Sequence, residues 1–426
     1  MTAVYAVHFW HKIASLRPKF AFLETDFVGI SGCYRGPTPS APAFSPFKKL
    51  DLVLPNMHII KAEENLIQET VVSNSSLPDA NRNTSDTSTM DDPELPEHSA
   101  DIQIGRDLML ATRAFSEESR SKSWWLVGAT FGLLVAALTG AGLAPWLPLR
   151  LFLSVLGALL MVRAFITYHD YMHGAILRNS RVAWALFHLY AMFGLAPASS
   201  WKKSHNYHHG HVGKISSASV GAFPIITKKM WQAASPLERV RYRIERHPLV
   251  VLFGYITIFA FSICLLPLLQ HPTKHLDSLL SLIVHSGLIT LLWVYGGADT
   301  AFFVLLLPMA IASALGSYLF FAQHSFKRMH ILRPEAWSHY RAALESSSYM
   351  RLNKLMQWFT GNIGYHHIHH LNVRIPFYRL PEAMAAIPAL QSPVVTTLAM
   401  RDIIECFESS LWDEDANRMI SYREAM

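Results

Sequence analysis

Cysteine is nearly missing: Cys33, Cys264 and Cys406 are the only three in 426 residues. They are scattered, odd in number and without metal or redox spacing, which suggests neither a disulfide framework nor a thiolate metal site. Charge is scarce as well, with 16% of residues charged against 51% hydrophobic, and the mean hydropathy is positive. In place of a polar surface stand long apolar runs at about 124–146, 149–167, 249–270, 277–296 and 300–322, each close to the roughly 20 residues that span a bilayer core. A soluble protein can bury one such helix. Five predict an all-α fold, a multi-pass membrane helical bundle of about four to six membrane segments.

The apolar character starts late in the chain. The opening MTAVYAVHFWHKIASLRPKF has no acid, yet it lacks the uninterrupted apolar stretch and cleavage site of a targeting segment. From Glu63 to Asp101 ten acidic residues face the single base Arg82, among Ser, Thr, Asn and Pro. Such a stretch cannot bury enough apolar surface to offset its ordering entropy. Its glycosylation sequons at Asn74 and Asn83 are weak signals. The expected organisation is an extension over 1–103, largely disordered, a membrane domain over 104–412 and a tail over 413–426.

Within the domain, a short Gly/Pro turn makes 124–167 a transmembrane hairpin. The stretch 184–198 is too short to span and reads as interfacial. Residues 214–247 are soluble in character and strongly basic. The segment PVVTTLAMRDIIECFESSLW is amphipathic, with Val395, Ala399, Ile403, Phe407 and Leu411 recurring every four residues. Lysines and arginines crowd residues 202–246 and 327–341, whereas the first hairpin turn carries only Arg150. The positive-inside rule places the basic side in the cytoplasm. An even number of crossings is then needed between 246 and 327, so one of three apolar runs there does not cross. The run 277–296, interrupted by His285, is the first suspect.

Three histidine clusters sit at the ends of these segments, forming a histidine-lined cytoplasmic cap. They are HDYMH (169–173), HNYHH (205–209) and HHIHH (366–370). In a helix, His205, His208 and His209 stand at i, i+3 and i+4, as do His366, His369 and His370, so each set shares one face. Packing gains nothing from crowding such rings, whereas neutral imidazole is the commonest transition-metal ligand. A single structural zinc takes about four ligands. The larger number here fits two metals sharing one basin, an arrangement suited to activating dioxygen. Ligand imidazoles need an acceptor on the second nitrogen, and Asp170, Glu345 and Glu382 are candidates.

HDYMH, HNYHH and HHIHH, in this order and with these separations, resemble the three histidine boxes of the membrane fatty acid desaturases. The strings AQHSF and FTGNIGYHHIHHLNVRIPFYRLPEA resemble the acyl-lipid type in particular, and the resemblance runs from about Phe115 to Trp412. It implies a non-haem di-iron centre that uses O2 and two electrons to remove two hydrogens from adjacent methylenes of an acyl chain. Carried over, the iron ligands are His169, His173, His205, His208, His209, His366, His369 and His370, with His324 of AQHSF as a further one. His367 and His211 exceed the pattern and read as outer or solvent-facing groups. Asn362 is a candidate for the water-bridged asparagine found in part of the family. An apolar acyl tunnel is implied, for which Trp184, Met172, Tyr171 and Trp201 are candidates.

The chain lacks the His-Pro-Gly-Gly mark of a fused haem domain, since His247-Pro248-Leu249 does not qualify. A separate electron donor is therefore expected. The basic stretch 202–246 could dock an acidic ferredoxin or lie on anionic headgroups; no nucleic-acid partner is expected. HDYMHG also resembles the first box of carotenoid ketolases and hydroxylases, but GNIGYHHIHHL followed by RIPFYRLPE is desaturase-like. A metal transporter or sensor would place its histidines at mid-membrane on broken helices, rather than at the membrane edge.

Overall fold

The computed structural model describes residues 96–215 and 223–426. The opening segment, the sequons, most of the acidic stretch and Cys33 lie outside the described residues, as does the expected disorder of residues 1–95. The described chain is mostly helical with a few short strands. Its principal helices are α1 (Pro96–Arg113), α2 (Arg120–Leu143), α3 (Leu147–His173), α4 (Arg181–Phe193), α5 (Ala198–His211), α6 (Pro236–Glu245), α7 (Tyr255–Gln270), α8 (Leu276–Ala301), α9 (Leu307–Gln323), α10 (His366–Leu371) and α11 (Met400–Glu408).

Two hairpins make the apolar bundle. The first is α2–α3, whose apolar composition and length suit a bilayer crossing. The second is the continuous helical stretch Leu276–Gln323, 48 residues long. At 1.5 Å per residue it would extend about 72 Å, more than twice the ~30 Å of a bilayer core. It folds back at Gly297, whose φ of 81° and ψ of 171° belong to a region open almost only to glycine. The turns of the two hairpins meet. Arg150 pairs with Asp299 at 3.6 Å, and Ser154 Oγ donates to the Phe303 carbonyl at 2.6 Å.

The run 277–296 opens the long apolar helix that suits a crossing, whereas 249–270 is bent and returns to the side it left. The helix α7 bends by 116° from the chain before it. At its entry, Arg246 donates to Ser325 Oγ at 3.0 Å, one residue beyond His324. After its exit, Ser199 at the start of α5 bonds His275 Nδ1 at 2.9 Å and takes Asp277 as a cap on its backbone N–H at 2.9 Å. Both ends therefore lie on the histidine side. His285 does not break its helix. It faces inward, with Nδ1 against the Phe193 carbonyl at 2.8 Å and Nε2 against Tyr255 Oη. A single histidine lowers mean hydropathy without preventing a crossing when both ring nitrogens find partners.

A polar layer closes over the histidine ends of the bundle. Buried Arg163, on α3, donates to Thr130 Oγ1 at 3.0 Å and to the Trp358 carbonyl, with its guanidinium over the Trp358 ring. This ties the chain just ahead of the third cluster to the first hairpin. Asn372 Nδ2 reaches Thr112 Oγ1 and Ser116 Oγ, each at 3.0 Å, holding α1 against the same cluster. The C-terminal helix is shorter than its periodicity suggests: α11 spans only Met400–Glu408, because Val395 enters strand β2 (Val395–Thr396), parallel to β1 (Tyr349–Met350), and Leu411 enters β3 (Leu411–Asp413). Strand β4 (Arg418–Ile420) pairs antiparallel with β3, and Ile420 packs with Trp231 and Tyr242. An every-fourth-residue apolar pattern does not distinguish a helix from two strands buried on one face.

Strand β1 also sets the approach to α10. The Met350 N–H donates to the Gly364 carbonyl at 2.8 Å, and a Cβ on Gly364 would stand 2.4 Å from the Met350 carbonyl oxygen. Both atoms belong to backbone, so relief requires the strand to move. Gly364→Ala is expected to cost about 1–3 kcal/mol and to lower the thermal unfolding midpoint in detergent. An unchanged midpoint would mean that β1 yields freely.

Candidate metal centre

Three elements of unlike origin carry the clustered histidines to one place. His169 and His173 occupy the last turn of α3, one helical turn apart. His205, His208 and His209 lie on one face of α5, and His366, His369 and His370 on one face of the short α10. His324 follows the last residue of α9. Their ring nitrogens form two groups, one of His169, His173, His205, His209 and His369, the other of His208, His324, His366 and His370, with the donor atoms in each within 4.8 Å of one another. All are buried except the partly buried His173. The groups touch, since the His209 and His370 rings stack at 4.2 Å.

In the second group four Nε2 atoms converge. His324 lies 2.9 Å from His366, 3.1 Å from His208 and 3.1 Å from His370, and His370 is 3.1 Å from His366 and 3.3 Å from His208. Each ring nitrogen has one proton or one lone pair, so hydrogen bonding can satisfy at most two pairs among the four. A shared cation satisfies all four at once. A metal–imidazole bond of about 2.0–2.1 Å sets neighbouring donors about 2.9–3.4 Å apart, between octahedral and tetrahedral geometry. The observed separations fall in that interval. The first group repeats the pattern, with His209 Nε2 at 3.0 Å from His205 Nε2 and 3.3 Å from His369 Nε2.

Electrostatics agree with this fit. Burial, aided by neighbouring imidazoles, holds His366, His369 and His370 well below the usual histidine range, and burial pushes His324 down to about 4. These rings are neutral at pH 7, so their lone pairs are available without displacing protons. Two rings are oriented by acceptors on the second nitrogen. His324 Nδ1 donates to the Ser346 carbonyl at 3.1 Å, and His169 Nδ1 to Asp170 Oδ1 at 3.1 Å. The other oxygen of Asp170 accepts the Phe377 N–H at 2.6 Å. Asp170 thus joins the first cluster to the loop after the third.

Residues 144–397 match the family model for fatty acid desaturases. A fatty acid desaturase of Bacillus subtilis is 30% identical over 276 residues, covering 65% of this chain and 78% of that protein. The chain belongs to the fatty acid desaturase family. The sn-1 oleoyl-lipid 12-desaturase of Synechocystis is 24% identical over 304 residues, with 69% of this chain and 83% of that one covered. The chloroplastic omega-3 fatty acid desaturase of Glycine max is 27% identical over 290 residues, with 61% and 57% covered. The protein is therefore a desaturase, an enzyme of the membrane, with histidines grouped for a metal centre.

The other residues singled out in this desaturase take varied places around the rings. Glu345 pairs with Arg341 at 3.0 Å and His330 at 3.4 Å, and Glu382 with Arg379 at 3.0 Å. Neither is bonded to a clustered histidine. Asn362 sits at a φ of 56° and gives its side-chain amide to the Phe377 carbonyl at 3.0 Å. His367 points away from both groups, its Nε2 3.2 Å from the Leu390 carbonyl. His211 lies on the Tyr207 ring at 3.8 Å. Of the tunnel candidates, Trp201 stacks on His205 at 4.6 Å and Met172 is buried. Tyr171 stacks on Phe187 instead, and Trp184 is exposed beside His188. Sequence reading did not find the Ser346 carbonyl or the Phe377 N–H, because backbone groups carry no residue signature. Gln323, beside His324 in AQHSF, is the one with a residue signature: its Nε2 donates to the Ile363 carbonyl at 2.8 Å.

Proposed function

We propose that this enzyme inserts a C=C bond into the fatty acyl chains of membrane lipids, at a centre of two non-haem iron ions and with O2 as co-substrate. The convergence of nine imidazoles into two groups of five and four carries this reading. His169, His173, His205, His209 and His369 would hold one ion, and His208, His324, His366 and His370 the other. When bound, the metal pair supplies an oxidant for an unactivated C–H bond, which no protein acid or base can attack.

The chain's own residues orient and exclude water. Asp170 and the Ser346 carbonyl fix the tautomers of His169 and His324, so that Nε2 of each is free for metal. Below the first group, Trp201 packs edge-on against Phe165 at 5.5 Å and Phe165 against Phe259 at 6.1 Å. This apolar wall is where the acyl methylenes would lie, held close to the centre and away from water. The acyl chain gives up two electrons and two protons. Reduction of O2 to two waters takes four of each, so two electrons come from a separate donor of ferredoxin type and two protons from water. The basic side of the bundle, which carries the histidines, is assigned to the cytoplasm by the positive-inside rule. The named relatives include a 12-desaturase and an omega-3 desaturase, so the position of the new bond does not follow from kinship.

The test is fatty acid profiling by gas chromatography–mass spectrometry with double-bond location, in cells expressing the chain beside a ferredoxin. New unsaturated acyl chains are expected, and none in a His369→Ala control. An unchanged profile, from protein shown to be iron-loaded and reducible, would remove acyl desaturation as the function.

A further inference from the structure

Within the basic stretch 202–246 the cations from Lys228 onward are largely occupied by internal contacts, whereas Lys202 and Lys203 are exposed. Lys228 pairs with Asp413 at 3.0 Å, and Lys229 with Glu414 and Asp415 at 3.6 and 3.5 Å. Arg241 pairs with Glu245 at 2.9 Å. Arg239 donates to the Trp231 and Gln232 carbonyls at 3.0 and 2.7 Å, Arg243 lies over the Trp231 and Tyr422 rings, and Arg246 is buried. These cations hold the C-terminal residues down and have little left for a partner.

A different cluster is open. A groove of about 730 Å³ is bordered by Lys327, Arg328, Arg401 and Arg418, with Asp402 and Glu405 on its α11 wall. Four cations against two carboxylates leave the rim positive. Lys327, Arg328 and Arg401 are exposed. Asp402 is turned to Thr397 Oγ1 at 2.6 Å and Arg418 to Glu424 at 2.8 Å. A second hollow of about 270 Å³ shares Arg328, His330 and Val394 with the first and is also lined by His367. Along the chain, His367 of the second hollow follows His366 of the four-histidine group, and Lys327 of the first follows His324 by three residues. A carrier seated here contacts the chain segment that follows His324, and none of the aromatic residues Phe165, Trp201 and Phe259 lines either hollow.

We propose that this groove is the docking site of a small acidic iron–sulfur protein, which delivers one electron per encounter. This rests on the reading of the histidine groups as a redox metal centre. In each encounter the reduced carrier is oxidised by one electron and the centre gains it; two encounters supply the two electrons that the acyl chain does not. The positive rim steers an acidic partner and makes its affinity sensitive to salt.

Binding is measured without turnover, by titrating an acidic [2Fe–2S] ferredoxin onto the purified chain in neutral detergent. The triple variant K327E/R328E/R401E is expected to bind about tenfold or more weakly at low salt. K202E/K203E, on the other basic surface, should stay within about twofold of the parent. The milder K327Q/R328Q should shift affinity in the same direction by less, and an unchanged gel-filtration profile excludes misfolding. In turnover the triple variant should raise KM for the carrier and leave kcat nearly unchanged. Retained affinity in the triple variant, or a loss confined to K202E/K203E, would overturn the proposal. So would loss of co-purifying anionic lipid with carrier affinity intact, which would make the groove a headgroup site. Carrier binding through these residues without any unsaturated product would instead count against the desaturation reading alone.

Discussion

On the two-iron reading, replacing His370 with alanine is expected to abolish product formation and to lower bound iron from about two ions per chain to about one. Its Nε2 lies 3.1 Å from those of His324 and His366 and 3.3 Å from that of His208, so no other ring in the four-membered group can take its place. Its other face stacks on His209 of the neighbouring group, and the change therefore loosens both. Five imidazoles of the first group remain, which is why partial rather than complete metal loss is expected. Elemental analysis by mass spectrometry, beside acyl-chain profiling, reads both effects. His211→Ala is the matched comparison, since that ring rests on Tyr207 outside both groups, and it should alter neither readout by more than about twofold. Full metal content in His370→Ala, with parental product, would show that the four-nitrogen convergence is not a metal site.

Asp170→Ala should have the second largest effect. Its carboxylate holds His169 Nδ1 with one oxygen and the Phe377 N–H with the other. Removing it frees the His169 ring to rotate, and loss of such a partner typically costs about 10–100-fold in metal affinity or activity. It also leaves a buried N–H unpaired, at about 1–3 kcal/mol. Asp170→Asn separates the two contributions. An amide has one acceptor oxygen, so it can serve His169 or Phe377 but not both, and an intermediate loss is expected. Iron titration tracks the first role and thermal unfolding of the metal-free protein the second. A pure stability loss with parental iron affinity would reduce Asp170 to a structural link.

How much of this was legible in the sequence depends on the range of the interaction. Helical spacing within HNYHH and HHIHH is local, so the shared face of each set could be read directly and reappears on α5 and α10. The hairpin over 124–167 was equally local, as an apolar length with a Gly/Pro turn. Which of the later apolar runs is bent was not. Apolar runs 249–270 and 277–296 differ little in composition, and the distinction rests on contacts of Arg246 with Ser325 and of Ser199 with His275, separated by 79 and 76 residues. The amphipathic C-terminal pattern failed for a related reason. Pairing of Val395 with Tyr349 and of Leu411 with Ile420 gives those residues a buried face that periodicity alone attributes to a helix.

By itself, the sequence determined that this chain is a helical membrane protein with three histidine clusters outside its apolar runs, because span length and one-face spacing follow from backbone geometry over a few turns. Only the tertiary structure decided how nine histidines divide into five and four, which carboxylate reaches a ring, and which cations remain open to a partner. Those outcomes depend on atoms brought together from opposite ends of the domain, as when Asp170 meets Phe377 across 207 residues. No local pattern encodes a contact of that span, since its energy arises only after the intervening chain has packed.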